Sequence, residues 1–186
     1  GAEIYMDENN LRFTTNQRLQ MMSLAKLLND EGKSSQSVEV LNRMQSVMPA
    51  NIAPLEPAMV YGVEGYYKAG AIEKANKLSR ELFNVCEEEY RYYTKVGRET
   101  KSMDAFEQDL GRLGSALEML AQYAMTFGQN ELADEFKAKL TPIGLGQRLN
   151  GPPMPMNAPP PMNMDSLRKA MEAMSDSTNP KKAPDQ

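Results

Sequence analysis

Histidine is absent from this 186-residue chain. Its absence excludes Ser-His-Asp and Cys-His nucleophilic pairs and any histidine-ligated zinc site. The single cysteine, Cys86, excludes an internal disulfide framework and cysteine-pair zinc, and it leaves the redox compartment undetermined. On an apolar helical stripe a lone cysteine reads as core. Basic residues number 21 against 25 acidic ones, for a net charge of −4. Residues 142–186 hold five of the basic and four of the acidic side chains, so neither part of the chain carries the basic footprint of a nucleic-acid binder. No apolar run approaches the roughly eighteen residues that span a bilayer, and the N-terminus lacks the basic and apolar regions of a signal peptide. The chain as given reads as soluble. Its first residue, Gly1, reads as the scar of cleavage from something longer.

Valine and isoleucine are scarce beside Leu, Met, Ala, Lys and Glu, and no six-residue stretch alternates cleanly between apolar and polar. The expected fold class is therefore all-α. Three glycines punctuate it. Gly32, Gly70 and Gly128 each lie between two helix-like runs, with a small residue five positions later, namely Ser37, Ala75 and Ala133. That is the pattern of tight corners in stacked helical hairpins.

The spacing predicts a first helix over residues 14–31 with Met21, Leu24, Ala25 and Leu28 on its core face. A second follows from Ser34 with Ser37, Val38, Leu41, Met44 and Met48, and ends against Pro49. The third is expected from about Leu55 to Lys68. The fourth carries Ala75, Leu78, Leu82, Cys86, Tyr90 and Tyr93 and is expected to stop at Gly97. The fifth starts near Ser102, a candidate N-cap, with Phe106, Leu110, Leu113, Leu117, Leu120 and Ala124 as its stripe. The last, about Asn130 to Leu140, offers Leu132, Ala133, Phe136 and Leu140. Each large stripe residue is worth roughly 1.5–3 kcal/mol when buried, and a lone hairpin hides only one face, so the hairpins must stack.

From Gly144 the composition turns to Gly, Pro, Met and Asn, and prolines at 152, 153, 155, 159, 160 and 161 forbid helix. The expected organisation is a lead-in over 1–13, a helical domain over 14–141, and a Pro/Met-rich mobile tail over 142–186. Within the tail Asp165 is placed to cap a short helix, about 165–175, carrying Leu167, Met171 and Met174.

Around the corner glycines, Leu28, Tyr66 and Ala124 stand four residues earlier and Ala25, Val63 and Ala121 seven earlier. With the small residue at plus five, and Pro49 seventeen past Gly32, these positions resemble the tetratricopeptide repeat. The first unit matches best. The second has Glu87 where the closing proline would be, and the third glycine follows the second by 58 residues rather than 34. The implied fold is an irregular right-handed array of about six helices, with long helices inserted before the third corner.

A second resemblance rests on Ile4-Tyr5-Met6-Asp7-Glu8-Asn9-Asn10-Leu11-Arg12-Phe13, Val47-Met48-Pro49, Tyr66-Tyr67-Lys68-Ala69-Gly70 and Glu73-Lys74-Ala75-Asn76. Over about residues 3–141 the chain is similar to the C-terminal region of multi-pass inner-membrane proteins of Bacteroidetes. The N-terminal part of those proteins resembles membrane glycosyltransferases of the protein O-mannosyltransferase type. The resemblance implies a helical region on the periplasmic side, joined to the membrane through upstream segments absent here. It implies no catalytic residue in this chain, because such enzymes hold their catalytic carboxylates in the membrane part.

Other motifs have ordinary readings. Glu87-Glu88-Glu89 spreads its carboxylates around a helix at about 100° per residue, a solvated face rather than an acid–base pair. Gly144-Leu145-Gly146 lacks the third glycine of a phosphate loop. Asp7-Glu8-Asn9-Asn10 lacks the glycine and closing glutamate of a calcium loop and reads as a turn or cap. Met154, Met156, Met162 and Met164 offer soft thioethers suited to Cu(I), beside the reading of a partner-docking tail. Tyr66, Tyr67, Tyr90, Tyr92 and Tyr93 are candidate partner-binding residues, because helical spacing cannot bury all five; packing in core and rim is the alternative.

The expectation is thus a non-catalytic interaction or scaffolding domain that needs no cofactor and no metal. Its partner would be a protein, a peptide or the parent's own membrane domain. The alternatives are a free-standing adaptor of tetratricopeptide type and Cu(I) binding by the tail.

Overall fold

The computed structural model describes residues 8–146, with side chains from residue 12 onward. Among the described residues there are six α-helices and no strand: α1 (Glu8–Asp30), α2 (Ser34–Val47), α3 (Val60–Lys68), α4 (Ile72–Thr100), α5 (Glu107–Thr126) and α6 (Asn130–Leu140). The all-α expectation is met. The methionines at 154, 156, 162 and 164, the stretch at 165–175 and residues 1–7 lie outside the described residues.

Each helix packs on the next in sequence, and in addition α1 packs on α3 and α3 on α5. The first helices of the three hairpins therefore lie side by side. Glycines of α3 allow it to pack closely on the first hairpin: a Cβ on Gly62 would stand 3.3 Å from Met22 Sδ of α1, and one on Gly65 3.0 Å from Leu41 Cδ1 of α2. One continuous core runs through the array, from Ala25, Leu41 and Met44 through Val63, Tyr66, Leu78 and Phe83 to Leu117, Leu120 and Phe136.

The corners repeat one geometry. Lys33 N–H donates to Leu28 O, Ala71 N–H to Tyr66 O and Gln129 N–H to Ala124 O, at 2.7–2.9 Å. Each bond reaches five residues back across a glycine, at φ +75° for Gly32 and Gly70 and +71° for Gly128. That is the Schellman closure, which satisfies helix-end carbonyls that would otherwise lack donors. Ser37, Ala75 and Ala133 are all buried where the second helix crosses the first. Because no side chain approaches the open side of Gly70, a substitution there tests the backbone alone. Gly70→Val should cost at least about 1–2 kcal/mol, read as a lower urea midpoint with unchanged slope; an unchanged midpoint would remove the left-handed corner from the account.

Four boundaries differ from expectation. α4 does not stop at Gly97 but runs to Thr100, where Lys101 turns left-handed at φ 53°. Gly97 serves packing instead: a Cβ there would meet Met103 Sδ at 2.6 Å, where the returning chain crosses. Ser102 is not a side-chain cap, since its hydroxyl donates to Thr100 O and a 3-10 turn, Met103–Phe106, precedes α5. The third helix begins as a 3-10 turn at Pro57–Met59 after extended Glu56, because Pro57 restricts the residue before it. Finally, the body does not end at 141. Gly144 (φ +76°) forms a further corner, with Leu145 N–H donating to Leu140 O, and Leu145 packs partly buried on the core beside Gly114.

The 58-residue interval between the second and third glycines is accounted for by the lengths of its two helices, 29 residues in α4 and 20 in α5. Their mutual packing extends past the nine residues of α3, where Tyr93 stacks on Phe106 at 5.4 Å.

Candidate interaction groove

The five candidate tyrosines do not form one surface. Tyr66 and Tyr67 are buried, contrary to a role in contacting a partner. Tyr66 is wedged at the second corner with its hydroxyl between Gln45, which donates at 2.8 Å, and Asn42, which accepts at 3.1 Å. Burial pushes this phenol up to about 12. Tyr67 stacks on Phe127 at 4.8 Å and donates to Asn76 Oδ1. The physical reason is position: four and three residues before a corner glycine, both rings point to where the next helix crosses. Tyr90 and Tyr93 are half-buried on α4, Tyr90 against Gly114. Of the five, only Tyr92 is mainly exposed, at 62%, with its ring edge-on to Tyr93 at 5.6 Å.

The groove lies elsewhere, between α1 and α3. It encloses about 230 Å³ and is walled by Leu19, Met22 and Lys26 from α1 and by Tyr61, Gly65 and Lys68 from α3. Its aromatic is Tyr61, 53% exposed, a tyrosine that the sequence reading passed over. The periodic signal that could have found it is plain in hindsight: Tyr61 precedes buried Gly62 and Val63, so it faces away from the core.

Charges around the groove are paired. Lys26 Nζ reaches Asp30 Oδ2 at 2.7 Å and Lys68 Nζ reaches Glu64 Oε1 at 2.6 Å. Tyr123 of α5 donates to the other oxygen of Glu64 at 3.3 Å, and its phenol is pushed up by burial and by that carboxylate. Asn29 ties the two helices together, its amide donating to Gly65 O at 2.9 Å. Its own carbonyl oxygen, Oδ1, is buried and has no hydrogen-bond partner among the described residues.

Cys86 is fully buried, and burial holds its thiol at about 12, far from a reactive thiolate. Glu87 pairs with Arg91 at 2.8 Å, while Glu89 is pushed up, first by desolvation, with Asp109 and Glu88 adding to the shift. No group of three metal-binding side chains occurs among the described residues, nor any helix long and apolar enough to cross a membrane.

One buried charge escaped sequence reading. Arg18 is 2% exposed, and its guanidinium donates to Pro54 O (2.7 Å), Met48 O (2.9 Å) and Ala53 O (2.6 Å), with Glu56 at 3.8 Å. It holds the α2–α3 connection against α1.

Comparison with family models, with curated proteins and with solved structures returns no match to this chain.

Proposed function

We propose that this chain is a non-catalytic protein-interaction domain of tetratricopeptide type, and that it engages a protein or peptide along the groove between α1 and α3. The observation that carries the reading is the side-by-side placement of the first helices of successive hairpins, which leaves a concave, partly apolar strip open to solvent. Stacked hairpins of this kind use such a strip for binding. At a finer level, the resemblance of residues 3–141 supports a periplasmic, C-terminal position in a membrane glycosyltransferase-like protein of Bacteroidetes. There the partner would be an acceptor protein or the parent's own membrane domain.

Photo-crosslinking in cells tests the interaction reading. A benzoylphenylalanine at position 61 should give discrete adducts of higher mass, whereas one at position 103, in the 3-10 turn before α5, should not. Absence of adducts at 61 under conditions where the full gene product is expressed would sink the groove as an interaction site. A C-terminal alkaline phosphatase fusion to the full gene tests location: activity supports the periplasm, and inactivity favours the free-standing adaptor.

A further inference from the structure

We infer that the outward face of α1 is a self-association surface, on which a second copy of this chain packs its own α1 in the antiparallel direction. Phe13, Leu24 and Leu27 are 62%, 47% and 59% exposed. At about 100° per residue all three fall on one side of the helix, opposite buried Arg18 and Ala25. Exposed Gln17 and Gln20 fill the places between them, so positions 13, 17, 20, 24 and 27 advance by alternate steps of four and three. That is the spacing of a coiled-coil seam.

Three exposed apolar side chains scattered singly would need no explanation. Here they share a stripe without charge: between residues 13 and 27 the only charged side chains are Arg18, which is buried, and Lys26, which lines the groove. Asn16 and Ser23 flank the seam, exposed and uncharged, the latter at the edge of the groove. The far end of the array is built differently. There α6 turns Glu131 and Asp134 to solvent, the polar outer face that terminates a stack of helical hairpins. α1 has no such cap, so its outward face is built for contact.

The same residues say what covers it. An occupant with a charged stripe would bury those charges against a strip that offers no counter-charge, which is costly. A second copy brings an uncharged strip of equal length, and the order of the seam is a palindrome. Phe13, Gln17, Gln20 and Leu24 read apolar, polar, polar, apolar in either direction. Two antiparallel copies therefore set Phe13 on the partner's Leu24 and Gln17 on the partner's Gln20, where each side-chain amide can both donate and accept. Polar pairs at the centre of such a seam fix its register. A parallel pair would instead set the two negative helix C-termini side by side, with Asp30 and Glu31 of each copy, whereas the antiparallel pair sets each against a positive N-terminus. The seam runs about 21 Å. A contact along one helix of that length falls below the roughly 1,200 Å² of a stable interface, so the dimer is weak and reversible.

Sedimentation equilibrium of the full chain from about 10 μM to 1 mM, the range of weak interfaces, tests this. The mass should rise with concentration toward twice the 20.8 kDa of one chain. Leu24→Glu should weaken association about tenfold or more, while Tyr92→Glu, on the exposed surface of α4, should leave it unchanged. Both side chains lie largely in solvent, so neither change opens the core. Direction is read from charge pairs: Gln17→Glu with Gln20→Lys sets opposite charges across an antiparallel seam and like charges across a parallel one. That double variant should associate at least as well as the unaltered chain, and Gln17→Glu with Gln20→Glu should associate about tenfold more weakly or worse. A chain that stays monomeric throughout would overturn the inference. So would a dimer indifferent to Leu24→Glu, the result expected if residues after 146 make the contact. Weakened association of the Glu/Lys double variant would overturn the antiparallel seam. Tyr61 stands on α3, outside this face, so the crosslinking experiment judges the groove independently.

Discussion

Arg18→Met is expected to lower the unfolding free energy by about 3–5 kcal/mol, the range seen when one partner of a buried charged network is removed. Buried ion pairs can often be replaced by apolar side chains without loss. Such replacements work when both partners go. Here the partners include three backbone carbonyls, of Met48, Ala53 and Pro54, which no substitution can remove. Methionine fills comparable space and leaves those three carbonyls without their donor, while Glu56 loses its ion pair and keeps the hydrogen bond from Thr15. Arg18→Lys should recover only a fraction, because one ammonium cannot reproduce the planar fork that reaches three carbonyls at once. The urea midpoint measures the loss. Limited proteolysis locates it, with new cleavage expected within residues 49–56. A cost under about 1 kcal/mol, or cleavage elsewhere, would show that the connection is held by something other than Arg18.

The second large effect is expected from Phe136→Ala, again about 3–5 kcal/mol. Phe136 and Phe83 are fully buried, with ring centroids 4.1 Å apart and planes within 3°. Lys139 lies 5.5 Å above the Phe83 ring. Truncation removes the transfer energy of the ring, leaves a cavity, and ends a stacked pair that adds roughly 0.5–1.5 kcal/mol of its own. The consequence is concentrated in α6, which has 11 residues. A helix that short is marginal in water without packing. Hydrogen exchange should therefore show α6 losing protection before the rest of the array. The double variant with Phe83→Ala should cost less than the sum of the two single changes, since both singles remove the same contact. Strict additivity would rule out the stack as a source of stability.

Sequence reading found the corners and most core stripes because each is a local signal. A glycine followed at plus five by a small residue encodes both the turn and the crossing, and the stripe of α6 matches its buried face residue for residue. What it missed depends on contacts between elements. On α1 the expected face put Leu24 in the core, yet Leu24 is largely exposed, while Met22 and the polar Thr14 and Arg18 are buried. Hydrophobicity alone rotated the helix, because the connection that buries Arg18 arrives from 30 or more residues away. Phe83 was missed because a single stripe was assumed for α4, whereas its ring is met by Phe136, which arrives on α6 from more than fifty residues away. The burial of Tyr66 and Tyr67 was missed for a related reason. A tyrosine cluster reads as surface until the crossing helix that covers it is known, and the exposed one, Tyr61, stands alone in the sequence.

The order in which helices touch has a kinetic meaning. The principal contacts join each helix to its neighbour or its next-but-one in the chain, so the sequence separation of contacting residues is small for a domain of this length. Low contact order of this kind goes with folding in about microseconds to milliseconds. The glycine corners close by themselves, and each hairpin finds its mate without waiting for a distant strand or terminus. A chain assembled in this way can lay down structure from its N-terminal end as it emerges, pairing α1 with α2 before α6 has been synthesised.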